Sequence, residues 1–248
     1  MKVKDIYSYL NELFPCESAV AYDNTGILVG NSEDEVKKAL VALDCNIDII
    51  EIAKKENCNL IITHHPVIFD GLKSVTENTV VYNLIKNNIS VISMHTNMDM
   101  GKNGVNDALC NVLELENVTE IDDGEGFILR KVSLSPISPE NLAKHISDKL
   151  GSPVKYIDSG KDIKNILVCS GSGGSYINLA KKLCCDALIT ADVKHNIFME
   201  ACNLGISVFD AGHFETEDVI VEPLTHMLNK KFPDLQFIPC HFSRIKYV

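Results

Sequence analysis

An internal repeat constrains this chain more than any other feature. The run Ile52-Ala-Lys-Lys-Glu-Asn-Cys-Asn-Leu-Ile-Ile-Thr63 aligns, 127 residues further on, with Leu179-Ala-Lys-Lys-Leu-Cys-Cys-Asp-Ala-Leu-Ile-Thr190. Each reads as the end of a helix, a turn and a short buried strand. The next strands also match, Ile89-Ser-Val-Ile92 with Ile206-Ser-Val-Phe209. Each is closely followed by a histidine with an acid four positions on, His95 with Asp99 and His213 with Glu217. Self-similarity of this kind predicts two halves of one supersecondary plan.

Within each half, helical and strand patterns alternate. Ala39-Leu-Val-Ala-Leu43 and Ile166-Leu-Val-Cys-Ser170 are the apolar runs of strands covered on both faces. Helices are expected over 49–56, 80–87, 142–150, 176–183 and roughly 216–230. The fold class is therefore α/β: two similar α/β domains with sheets flanked by helices, some edge strands antiparallel. The acidic, turn-forming stretch Ile121-Asp-Asp-Gly-Glu-Gly126 suggests a boundary, with a first half over 1–122 and a second over 123–248, whose last helix packs back on the first half. Ser138 is the expected N-cap of a helix with Pro139 at its first position. Pro66 and Pro153 fall at strand ends, where proline is tolerated.

Composition narrows the function classes. A chain of 248 residues with 46% hydrophobic and 23% charged residues is ordinary globular material, long enough to bury a core without disulfides. The 23 Lys and Arg against 34 Asp and Glu leave a net charge of −11, which opposes duplex nucleic-acid binding. Nine cysteines without a Cys-x-x-Cys pair read as reduced, mostly buried thiols rather than a zinc finger or disulfide framework. No apolar run approaches the length of about 18 residues that spans a bilayer, and the N-terminus reads as an amphipathic helix, so a cytoplasmic protein is expected.

The histidines carry the chemistry. Four of the eight stand just beyond predicted buried strands: His64 and His65 after Leu60-Ile-Ile-Thr63, then His95 and His213 after the matched strands. Strand C-terminal ends are where open α/β sheets build sites. Imidazole with carboxylate and no thiolate suits Zn, Mn, Fe, Co or Ni. Five or six such ligands exceed what one tetrahedral ion needs, and the surplus points to two metals sharing a carboxylate. Strand alternation points His64 and His65 to opposite faces, where each would serve a different ion. His145 and His226 fall in helices and read as surface or packing residues, and His241 likewise lacks the strand-end context. His195 holds a place in the second half near that of His64-His65 in the first, and is a candidate to line the same cavity. The turn Ser170-Gly-Ser-Gly-Gly-Ser175 reads as a tight strand-to-helix connection or a phosphate cradle, though not a dinucleotide fingerprint. Asp23 and Asn24 are turn formers or polar groups of the cavity.

Asp23-Asn-Thr-Gly-Ile-Leu-Val-Gly30, Thr63-His-His-Pro66, His95-Thr-Asn-Met-Asp99, Gly104-Val-Asn-Asp107 and Asp210-Ala-Gly-His-Phe-Glu-Thr-Glu217 together resemble the signatures of the NIF-three-like family, in order and over nearly the whole chain. That family is also described as GTP cyclohydrolase type I, type two homologues, or dinuclear-metal-centre proteins. Tyr22 departs from the pattern, which usually has Trp there. The resemblance implies two divalent ions held by His64, His65, Asp99, His213 and Glu217, with Glu217 bridging and His95 close by. It also implies a homohexamer, a trimer of dimers, with sites facing an internal cavity.

Two ions of this kind make hydrolysis the natural reaction class. The family name supplies a version of it, opening of the guanine ring of GTP, with His95 or His195 moving protons. A nucleotide or other phosphate-bearing small molecule is the corresponding ligand. The alternatives are a metal-dependent hydrolase of a phosphoester or amide, and a non-catalytic metal-binding regulator or nucleic-acid-binding ring. The repeat itself predicts that the metal site lies between the halves, because matched strand ends would then face one another.

Overall fold

The computed structural model describes residues 1–248. Its strands are β1 (Gly26–Val29), β2 (Lys38–Ala42), β3 (Leu60–Thr63), β4 (Ser90–Ser93), β5 (Val118–Asp122), β6 (Ile128–Ile137), β7 (Lys155–Ile157), β8 (Ile163–Val168), β9 (Ala187–Thr190), β10 (Ser207–Asp210) and β11 (Gln236–Cys240). The helices are α1 (Val3–Leu13), α2 (Ile47–Lys55), α3 (Val80–Lys86), α4 (Thr96–Met100), α5 (Val105–Val112), α6 (Pro139–Leu150), α7 (Ile177–Lys182), α8 (His195–Leu204), α9 (His213–Glu217) and α10 (Val221–Lys231). Two compact units result: Met1–Lys102 with Ile220–Arg244, and Asn103–Val219 with Ile245–Val248.

The first unit is built on a five-stranded sheet in the order β1-β4-β3-β2-β11. Strands β11, β2, β3 and β4 run parallel, and β1 closes one edge antiparallel to β4. All four residues of β3 and of β4 are buried, so these strands have no solvent face. Helices α2 and α3 supply Ile49, Ile50, Ala53, Val81 and Leu84 to a core with Leu40, Ala42, Ile61 and Val91. Each such aliphatic side chain contributes roughly 1.5–3 kcal/mol on full burial. Asn46 and Thr79 start the two helices by accepting from the amides of Ile49 and Tyr82.

The second unit has a six-stranded sheet in the order β5-β6-β8-β9-β10-β7. Its centre, β8, β9 and β10, is parallel, while β6 and β7 flank it antiparallel. Alternate residues feed two cores: Ile166, Val168, Ala187 and Ile189 meet Leu142 and Ile146 of α6. On the other face Leu167 and Leu188 meet Ile177 and Ala180 of α7 and Phe198 of α8. Ser138 caps α6 with Pro139 at the first turn, as its sequence predicts.

The repeat extends to single hydrogen bonds. Asn59 N donates to Lys38 O, and Asp186 N to Asn165 O. The side chains at the same two positions accept from Lys37 N and Lys164 N. Asn57 and Cys184, at matched places in the helix-to-strand turn, both take positive φ, 59° and 55°.

Two expectations need adjustment. The stretch 121–126 is the end of β5 and the hairpin turn that joins it to β6, held by the Asp123 carboxylate accepting from Glu125 N and Phe127 N. It lies inside the second unit, and the division of the chain comes at Lys102 and Asn103, with Ile220–Arg244 returning to the first unit. The helix expected over 216–230 is two helices, α9 and α10, separated by a 3-10 turn at Asp218–Ile220. No helix is long and apolar enough to cross a membrane.

Candidate metal centre

The C-terminal ends of β3 and β4 bring three imidazoles together. Beyond Thr63 the chain turns, with Thr63 Oγ1 donating to the carbonyl of His65 across 2.8 Å. This turn cancels the alternation expected of an extended strand, so His64 and His65 face the same space, their ring centroids 5.1 Å apart. His95, following β4, places its ring 5.2 Å from that of His64 and 5.7 Å from that of His65. One ligand atom from each of the three lies within 4.8 Å of the others, so this group could hold a metal ion. His95 is also the N-cap of α4, whose residues are all buried. Asp99 is four positions on, and its Oδ1 lies 3.4 Å from His64 Nε2.

Each imidazole is oriented through its Nδ1. His64 Nδ1 donates to the Met94 carbonyl (3.0 Å), His65 Nδ1 to Asp44 Oδ1 (2.7 Å) and His95 Nδ1 to Asp23 Oδ1 (2.8 Å). A donor proton on Nδ1 leaves the Nε2 lone pair available to an ion. Asp23 also accepts from the amide and hydroxyl of Thr96. Burial would push its carboxyl up, but the bonds from His95 and Thr96 outweigh that and hold it well below the usual carboxylate range.

In the second unit β10 ends at Asp210, and Gly212, at φ 85°, leads directly into α9. The i,i+4 spacing on that helix brings His213 Nε2 to 2.9 Å from Glu217 Oε2. His213 Nδ1 donates to Asp192 Oδ2 (2.7 Å), repeating the arrangement of His65 with Asp44. Glu217 is almost completely buried.

The glycine-rich turn packs against this carboxylate at Gly171. Ser170 N donates to Asn106 Oδ1 (2.8 Å), Gly171 N to Thr216 Oγ1 (3.1 Å) and Gly173 N to Thr190 Oγ1 (2.8 Å). Those three amides are committed inside the protein, which makes the turn a packing device at these positions rather than a phosphate cradle. Asn106 is itself carried by α5, whose Asp107 receives the buried guanidinium of Arg130. The motif Gly104-Val-Asn-Asp107 thus acts through the turn.

Among the residues singled out from sequence, His64, His65, His95 and Asp99 form one group, and His213 with Glu217 another. His195 opens α8 on the surface, outside both. His145 donates to the Leu113 carbonyl, and His241 lies 3.1 Å from Glu222. Asp44 and Asp192 were not visible from sequence as functional residues; the signal available was that each stands two positions beyond a buried strand, as His65 does. The groups offer nitrogen and oxygen only, with each imidazole fixed by a carboxylate or carbonyl, the usual outer support of a metal-binding histidine. They fit a borderline divalent ion of the first transition row.

The chain has relatives among known proteins. A Clostridium acetobutylicum protein named GTP cyclohydrolase 1 type 2 homolog is 34% identical over 233 residues, 88% of this chain and 85% of its own length. A Helicobacter pylori protein named GTP cyclohydrolase 1 type 2 is 35% identical over 236 residues, covering 92% of this chain and 93% of that protein. The crystal structure of a Staphylococcus aureus hypothetical protein superposes with a TM-score of 0.90 at 26% identity, across 100% of this chain and 99% of that one. The family profile of Duf34/NIF3 (NGG1p interacting factor 3) matches residues 1–246, and the chain belongs to that family.

Proposed function

We propose that this protein is a metal-dependent hydrolase with a dinuclear centre. His64, His65, Asp99, His213 and Glu217 are the ligands, Glu217 bridges, and Zn, Mn, Fe, Co or Ni are the candidate ions. The observation that carries this reading is the uniform anchoring of Nδ1 in His64, His65 and His213, which commits three hydrogen bonds to presenting Nε2.

When bound, two such ions supply Lewis acidity and a water whose pKa is lowered toward neutrality. The chain's own residues do the rest. His95, held by Asp23, is placed to carry a proton at Nε2, since the bond at Nδ1 fixes its tautomer. Asp99 Oδ1, 3.4 Å from His64 Nε2, would offer an oxygen ligand beside the imidazoles. The substrate is a purine nucleotide, and the reaction is hydrolytic opening of the guanine ring of GTP with release of formate, an activity supported by the names of the Clostridium and Helicobacter relatives. The net charge of −11 disfavours the alternative of a nucleic-acid-holding ring. Assembly into a homohexamer, a trimer of dimers, belongs to the same proposal and is tested by light scattering after size exclusion, where a stable monomer would defeat it.

The deciding experiment reconstitutes metal-free protein with Zn and Mn separately, measures bound metal, and follows formate release from GTP. Close to two ions per chain is expected, with turnover abolished by Asp99→Ala and by His213→Ala. At most one ion, or turnover untouched by both substitutions, would overturn the proposal.

A further inference from the structure

One exposed aromatic ring touches the first histidine group, and a second stands one residue before Asp23, which orients His95. Tyr22, 75% exposed, directly precedes Asp23, the residue that orients His95. Phe69, 47% exposed, stands perpendicular to His95 with ring centroids 6.1 Å apart. Different segments carry them, and those segments are tied together: Asn24 Nδ2 donates to the Ile68 carbonyl across 2.6 Å. Val67 and Ile68 pack on the core, so Phe69 emerges from a fixed root. The connection from His64 to Thr79 has no helix or strand, a length of irregular chain that compact domains usually keep for function.

We propose that Tyr22 and Phe69 form a stacking surface that holds a planar nitrogen heterocycle of the substrate beside the histidines. The inference rests on the hydrolase reading above and supplies the substrate-ring contact that the metal ligands do not provide. Contact with His95 fixes Phe69, yet nearly half of its surface stays in water. A flat heterocycle lying on exposed aromatic faces removes them from water at little cost in side-chain entropy. A ring lying on Phe69 is a neighbour of His95, so stacking would deliver the heterocycle to the imidazoles. Aromatic faces accept any base, so this surface selects for ring planarity, while discrimination among bases falls to polar groups.

The test uses 2-aminopurine riboside triphosphate, whose emission is quenched on stacking, with metal-loaded protein. The chain has no tryptophan, so the probe can be excited without indole background. Saturable quenching is expected in the wild type, with Kd raised about tenfold or more by Tyr22→Ala and by Phe69→Ala. Tyr22→Phe and Phe69→Tyr should keep wild-type binding, whereas Phe69→Leu, apolar but not aromatic, should lose it. Bound metal and elution volume should be unchanged throughout. No quenching in the wild type, or alanine variants that bind as it does, would overturn the proposal. So would a shifted elution volume with binding intact, which would assign the rings to contact between copies of the chain. Because binding is read without turnover, a failed formate assay sinks the hydrolase reading and leaves this measurement standing.

Discussion

A Cβ at position 171 would lie 2.0 Å from Oε1 of Glu217, so the buried carboxylate occupies space that only glycine leaves open. Gly171 also has φ 58°, a conformation that costs an alanine about 1–2 kcal/mol. Gly151 has a similar φ, 66°, with nothing near its missing side chain, and separates the two effects. Gly151→Ala should lower only the unfolding free energy, by about 1 kcal/mol. Gly171→Ala should lower stability and also deplete bound metal in elemental analysis. Full metal content in Gly171→Ala would show that this approach is incidental to the centre.

The orienting carboxylates should act on affinity. Asp44→Ala and Asp192→Ala are each expected to weaken metal binding about 10–100-fold, measured by competition with a chelator. Both residues are partly exposed, so the folded state should survive. Unchanged affinity in both variants would mean that ring orientation comes from packing alone.

A bridging ligand serves two ions and a terminal imidazole one. Glu217→Ala should therefore remove more metal than His64→Ala when the two proteins are loaded side by side. Equal losses would point to terminal coordination by Glu217.

Asp23 predicts a pH dependence for the metal-free protein. Its folded pKa is depressed, so its contribution is complete above the unfolded value of about 3.9 and is lost as pH falls through the folded value. Denaturant titrations should show the wild type's advantage over Asp23→Asn constant at neutral pH and shrinking below about pH 4. An advantage that grew on acidification would contradict the sign.

Thiol reactivity follows burial. Desolvation pushes the thiols of Cys45 and Cys110 up to about 12, so neither forms thiolate at pH 8. Cys184 and Cys202 are exposed, and mass spectrometry after brief alkylation should find label on these two first. Fast labelling of Cys110 would require opening of its core.

The parts legible in the sequence are those whose cause is local. Leu60-Ile-Ile-Thr63 and Ala187-Leu-Ile-Thr190 read as buried strands because no charged residue interrupts them, and His64 and His95 stand out as candidate ligands because polar groups just past such strands are conspicuous. What was not legible depends on distant partners. The convergence of His64 with His65 needs the turn made by the Thr63 hydroxyl, which no alternation rule contains. Asp44 and Asp192 become meaningful only once an imidazole stands 2.7 Å away. The break between α9 and α10 has no proline or glycine to mark it, and there the chain leaves one unit for the other.

That passage reverses the order in which the protein can mature. Strand β11, residues 236–240, pairs in parallel with β2, residues 38–42, so the first sheet lacks an edge strand until nearly the whole chain has been synthesised. The sheet of the second unit comes entirely from within Asn103–Val219 and can close while the earlier residues still wait. On the ribosome, the segment made first would be completed last, with the open side of β2 exposed to other nascent chains in the interval. A stop codon soon after residue 219 would spare the second sheet and leave the histidines of the first on an unfinished scaffold.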